Sequence, residues 1–194
     1  MSLKFPAFLA SGVLLTASAH AALISGPTQI TATTDIPFNG GFGSVDQLVD
    51  GIGLNSDGPS YNGYGPNATS GTITFTLDGV YTLYDFILAN DINVQHEGPK
   101  DFTLSFYDIN NQLISTTGTL TAADATVTAQ TFSLGTIENV ARVDFNILNV
   151  YSAETEVVRI EIREVAFNGV PVPEPSATLL GVAGTLLVLR RRRA

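Results

Sequence analysis

The sequence predicts an all-β protein. It reads as an antiparallel β-sandwich of jelly-roll type, flanked by an N-terminal signal helix and a C-terminal hydrophobic helix. Three observations predict it. Apolar and polar residues alternate with period two through much of the middle of the chain. Turn-forming residues separate these runs at short intervals. No long stretch of the middle carries a helical period.

The first 22 residues, MSLKFPAFLASGVLLTASAHAA, have a basic start at Lys4, a short apolar run from Phe8 to Ala17, and the small-x-small pattern Ala19-His20-Ala21. That order predicts a secretory signal peptide, residues 1–22, cut after Ala21 or Ala22. The β domain is expected over 23–170. Gly40 to Gly71 is rich in Gly, Ser and Asn and predicts mostly loop. GTITFTL then sets Ile73, Phe75 and Leu77 against Thr72, Thr74 and Thr76. Further strands are expected at Tyr81–Leu88, Phe102–Phe106, Leu113–Leu120, Gln130–Leu134, Val143–Ile147 and Val158–Arg163, with turns at Asp78-Gly79, Gly98-Pro99, Asn110-Asn111, Gly118 and Gly135. In the last strand the phase slips: Ile160 and Ile162 share one parity, Val165 and Phe167 the other. A bulge near Arg163-Glu164 would reconcile them and re-aim Glu164.

Charge narrows the function. The chain carries a formal charge of -9, but four of its nine basic residues are Arg190, Arg191, Arg192 and Arg193. Between Ala22 and Pro171 there are 17 acids against four bases, so that stretch stands at -13. Such a surface repels phosphate backbones and excludes nucleic acid as a partner. No cysteine is present, which rules out disulfides and thiolate metal sites. Beyond the signal peptide the one histidine is His96, and no Gly-x-Ser-x-Gly occurs, so His-based metal sites and the serine-hydrolase elbow are both missing. No carboxylate pair stands out for glycoside cleavage. The expectation is a non-catalytic protein.

The tail, 171–194, has its own logic. Pro171, Pro173 and Pro175 break regular structure. The uncharged stretch from Ser176 to Leu189 spans about 21 Å as a helix, short of a ~30 Å hydrocarbon core. With the arginines held on the cytoplasmic side, the body faces outward. Pro173-Glu174-Pro175, the apolar run and the terminal Arg190 to Arg193 block resemble the PEP-CTERM sorting signal of Gram-negative bacteria. The resemblance implies an exosortase and the secretion machinery as partners and passage through the inner membrane. It also implies cleavage near the Pro-Glu-Pro, and a place at the cell surface or in the extracellular biofilm matrix.

A second resemblance covers most of Val45 to Gly169. Asp50-Gly51, Leu77 to Leu83 (LDGVYTL), Lys100 to Leu104 (KDFTL) and Glu164 to Gly169 (EVAFNG) are similar, in order, to the discoidin or coagulation-factor type C domain. That superfamily is the galactose-binding-like jelly roll. The loop Trp common there is missing here, as are the paired cysteines of its animal members.

Two sites follow. Asp46, Asp50, Asn55, Ser56 and Asp57 lie within 12 residues, among glycines that permit a bent oxygen-rich loop for a hard cation. Turn formation alone is the competing reading of these residues. The discoidin resemblance implies a structural calcium joining Asp50 and the Asp57 region to Glu164. The second site is a carbohydrate face. Tyr61, Tyr64, Asn62, Asn90, Asp91, His96 and Glu97 are expected in loops, offering aromatic faces beside amides and carboxylates. A polysaccharide is the ligand such a face would take; ordinary loop tyrosines and a surface His are the competing reading of these residues, since loop polarity alone is unspecific. The alternatives are a purely structural extracellular protein and, third, a glycan-processing enzyme.

Overall fold

The computed structural model describes residues 20–54, 63–90, 97–124, 128–151 and 159–173. The expected signal helix, the apolar tail helix and the sorting residues from Glu174 onward lie outside the described residues. Among the described residues ten strands run in order: β1 Ala22–Ile24, β2 Ile30–Thr34, β3 Gly41–Phe42, β4 Gly65–Pro66, β5 Gly71–Asn90, β6 Asp101–Tyr107, β7 Leu113–Thr116, β8 Leu120–Thr121, β9 Gln130–Ile147 and β10 Ile162–Pro171. A short 3-10 turn, Val45–Val49, interrupts the long loop. Among the described residues no helix is long and apolar enough to cross a membrane.

Eight strands form one antiparallel sheet in the order β1-β10-β5-β9-β6-β7, with β2 on β5 and β8 on β6; β3 and β4 pair separately. The sheet curls over itself through two long strands, β5 of 20 residues and β9 of 18. Gly71–Thr76 pairs with Arg142–Ile147, and Tyr81–Leu88 with Gln130–Val140. From Thr76↔Arg142 to Tyr81↔Val140, β5 advances five residues while β9 advances two. Unequal numbers of residues in two paired strands bend the ribbon. Its near half carries β2 and β6, its far half β10.

The two halves face each other across a phenylalanine core. Phe86 of the far half lies 5.3 Å from Phe145, 5.8 Å from Phe102 and 5.6 Å from Phe167, and Phe75 meets Phe167 edge-on at 6.0 Å. All five rings are fully buried. Burying each contributes up to about 3 kcal/mol, with tilted ring pairs adding roughly 0.5–1.5 kcal/mol.

Four expectations change. Asp78-Gly79 is not a turn between strands; β5 runs through it at the bend. Gly135 likewise sits inside β9, where its φ of +73° supplies an irregularity rather than a chain reversal. The expected Leu113–Leu120 strand divides around Gly118 into β7 and β8, because a glycine offers no side chain to pack. The last strand begins at Ile162, with 159–161 ahead of it outside the ladder, and Val158 lies outside the described residues. Ile160 donates instead to Pro66 O, and Ile162 bridges to Tyr64. The bulge expected near Arg163-Glu164 is present: Ile162 pairs with Asn90 and Glu164 with Ala89, skipping Arg163.

Candidate functional site

The described parts of the connections between β5 and β6, between β9 and β10 and between β3 and β4 meet where β10 begins. Two polar clusters sit there.

The first is built on the bulge. Glu164 is completely buried. Its two oxygens each accept a backbone N–H, Gly51 on Oε1 at 3.0 Å and Gly53 on Oε2 at 3.2 Å. Asp50 lies beside it, its own Oδ1 accepting Ile52 N–H at 2.9 Å. The glycines are required. Gly51 has a φ of +85°, and a Cβ on Gly53 would come within 2.8 Å of Arg163 O and 2.9 Å of Glu164 Cβ. Burial raises the Glu164 pKa to about 8; the two N–H donors pull it down, and the neighbouring Asp50 pushes it up. A buried carboxyl and a half-buried carboxylate therefore stand side by side, the charge arrangement that a cation relieves. Among the described residues no group of three His, Cys, Asp or Glu converges to hold a metal. Asp57, the third expected ligand, lies outside the described residues.

The second cluster is ionic. Arg159 Nε lies 3.3 Å from Glu97 Oε1 and 3.9 Å from Glu161 Oε2, with its guanidinium 5.7 Å from the Phe42 ring centre. Glu97 and Glu161 are buried, and Arg159 is partly exposed. Arg163, also buried, donates Nε to Asn90 O at 2.7 Å. Gly98 holds the array together: its N–H reaches Arg159 O at 3.1 Å, and its φ of +100° brings it against Glu161 O. The β3–β4 hairpin carries Phe42 to this place through the Tyr64–Ile162 bridge.

The residues expected to contact sugar are distributed differently. Tyr64 is 3% exposed and belongs to the core cluster. Asn90 is no loop residue but the last of β5, fully buried, donating Nδ2 to Pro99 O at 3.3 Å; its Oδ1 is buried without a hydrogen-bond partner among the described residues. Glu97 joins the ionic cluster. Tyr61, Asn62, Asp91 and His96 lie outside the described residues. Sequence reasoning misses Arg159 and Phe42 at this end. In the sequence Arg159 is only the polar member of a strand alternation, and nothing local marks Phe42.

No family model matches the chain, and no curated protein matches it in sequence. Solved structures do resemble it. A family 32 carbohydrate-binding module from Streptococcus pneumoniae EndoD superposes with a TM-score of 0.54 at 13% identity, covering 75% of this chain and 98% of that one. A fucose binding module of Streptococcus pneumoniae gives 0.54 at 15% identity, covering 75% and 96%. An F5/8 type C domain from Bacteroides fragilis gives 0.51 at 14% identity, covering 74% and 93%. These likenesses show the fold, a β-sandwich of galactose-binding-like type.

Proposed function

We propose that this protein is an exported, non-catalytic surface or biofilm-matrix protein that binds polysaccharide through the loop end of its sandwich. In this reading a PEP-CTERM signal in the tail sorts it. The observation that carries the binding reading is the fold likeness to two carbohydrate-binding modules. The loop end supports it. Arg159 and Glu97 supply a partly exposed donor and a buried acceptor held in one geometry, with the Phe42 ring alongside. Recognition of hydroxyls by paired donors and acceptors beside an aromatic face follows the usual pocket recipe. Tyr61 and His96 belong to segments that flank this cluster in the chain. In this role Tyr64 and Asn90 support the site from beneath.

A calcium ion would fit this reading as a structural element. Glu164 and Asp50 are its side-chain ligands, with Asp57 from the adjoining loop. It would neutralise the paired carboxylates and fix the 50–53 segment against β10. For the tail, residues Pro173, Glu174 and Pro175 with Arg190 to Arg193 are the sorting elements. The exosortase and inner membrane are the corresponding partners.

The test of binding is a glycan array probed with the full-length protein in detergent, followed by titration of any hit. Arg159→Ala, with an unchanged far-ultraviolet circular dichroism spectrum, should weaken a genuine hit by about tenfold or more, the scale of a lost charge-assisted hydrogen bond. An array without a reproducible hit would instead favour a structural matrix protein.

A further inference from the structure

The end of the sandwich opposite the loops holds a cleft of about 680 Å³. It lies where the β5–β9 ribbon bends. β10 pairs Ile162 with Asn90 at the loop end and Pro171 with Tyr81 at the cleft, nine residues along the strand. At about 3.3 Å per residue, the seven residues from Glu164 to Pro171 separate the cleft from the Glu164 cluster by roughly 23 Å.

The walls are of two kinds. Val80, Ile109 and the Pro171–Pro173 segment form an apolar side. Ile109 is 69% exposed and leaves its apolar side chain open to the cleft. Pro173 is held close because Val172 N–H donates to Val80 O at 2.8 Å. Asp78 and Asp108 form the polar side, and the fold aims both carboxylates. Tyr81 OH donates to Asp78 Oδ1 at 2.6 Å; Asn110 and Gln112 N–H donate to Asp108 Oδ1 at 2.9 and 2.8 Å. Asp78 thus spends Oδ1 within its own strand and Asp108 spends Oδ1 on its turn, while Oδ2 of each makes no hydrogen bond among the described residues. Asn139, in the left-handed region at φ +62°, completes the lining from the irregular part of β9. No Lys, Arg or His among the described residues lines the cleft.

We propose that this cleft is a second binding site, separate from the loop end, and that it takes an organic ammonium ligand. Such a ligand is an aliphatic or ring body bearing one or two amino groups. The charge complementarity is direct: two pre-oriented carboxylates meet the ammonium groups while the apolar wall covers the carbon body. Anions are repelled by both aspartates. A bare metal ion is a poor occupant, since no three ligating side chains converge among the described residues. The volume suits a ligand of small-molecule size.

The experiment is calorimetric titration of the full-length protein, in detergent at low salt, with 1,5-diaminopentane and with 1,5-pentanediol. The two probes share a carbon chain and differ in charge. The diamine should bind and the diol should not. The double variant Asp78→Asn, Asp108→Asn keeps an oxygen for Tyr81, Asn110 and Gln112 but loses both charges. It should melt at the wild-type temperature and bind the diamine at least about tenfold more weakly, as expected for losing charge pairs at partly solvated sites. Absence of diamine binding, equal binding of the diol, or undiminished binding by the folded double variant would each overturn the proposal. The diamine–diol comparison needs no variant and stands even if the double variant misfolds. Loop-end glycan binding is a separate readout, so either site can fail without the other.

Discussion

The buried carboxyl of Glu164 makes stability depend on pH in a direction opposite to that of most acids. Its pKa is raised from 4.5 to about 8 in the folded protein, chiefly by burial. The folded state therefore keeps a proton that the unfolded chain has already released. The stabilisation from this group is fully present below pH 4.5 and is lost as pH rises towards 8. At 1.36 kcal/mol per pKa unit the full displacement corresponds to roughly 5 kcal/mol, of which about 3 kcal/mol is lost by pH 7. Other carboxylates titrate over the same range, so the contribution is isolated by difference against Glu164→Gln. The amide places a donor against one of the Gly51 and Gly53 N–H groups, but that cost does not change with pH. Urea unfolding of both proteins from pH 4.5 to 8, in chelator and followed by tyrosine fluorescence, should show wild type losing stability relative to the variant. The loss should be on the order of a few kcal/mol. Parallel curves would refute the reasoning, since they would mean that Glu164 titrates alike in the folded and unfolded chain.

Two other outcomes follow from the same structure. Free calcium should raise the melting temperature by mass action on the folded state, and Asp50→Ala should abolish that rise; identical melts with and without chelator would remove the ion from the proposed function. Phe86→Ala should cost about 3–5 kcal/mol in chemical denaturation, because the ring contacts Phe102, Phe132, Phe145 and Phe167 and their backbones cannot collapse into the gap.

The apolar face of each strand is legible from alternation. Phe75, Phe102 and Phe145 point inward as the period demands. So is the bulge at Glu164, because a parity slip inside a continuous run needs one extra residue in that strand if both halves are to keep their apolar side chains in the core. Strand ends are less legible. Asp78-Gly79 and Gly135 carry turn chemistry, and a bend inside a long ribbon uses the same residues as a hairpin reversal; only the partner strand distinguishes them. Burial of loop polars is also illegible. Asn90 reads as a loop amide, yet its Nδ2 serves Pro99 O, a contact set by where β6 begins. Gly51 and Gly53 read as turn formers. Their further role, presenting N–H groups to a carboxylate more than a hundred residues away, depends on tertiary placement.

The bent ribbon has a consequence for how the domain comes apart. In a sandwich whose layers are separate sheets, one layer can detach by losing side-chain contacts alone. Here β5 and β9 belong to both layers, so the layers are joined by two continuous backbones rather than by side-chain contacts alone. The fold therefore behaves as a single clasp: its two leaves are cut from one folded strip and must open together.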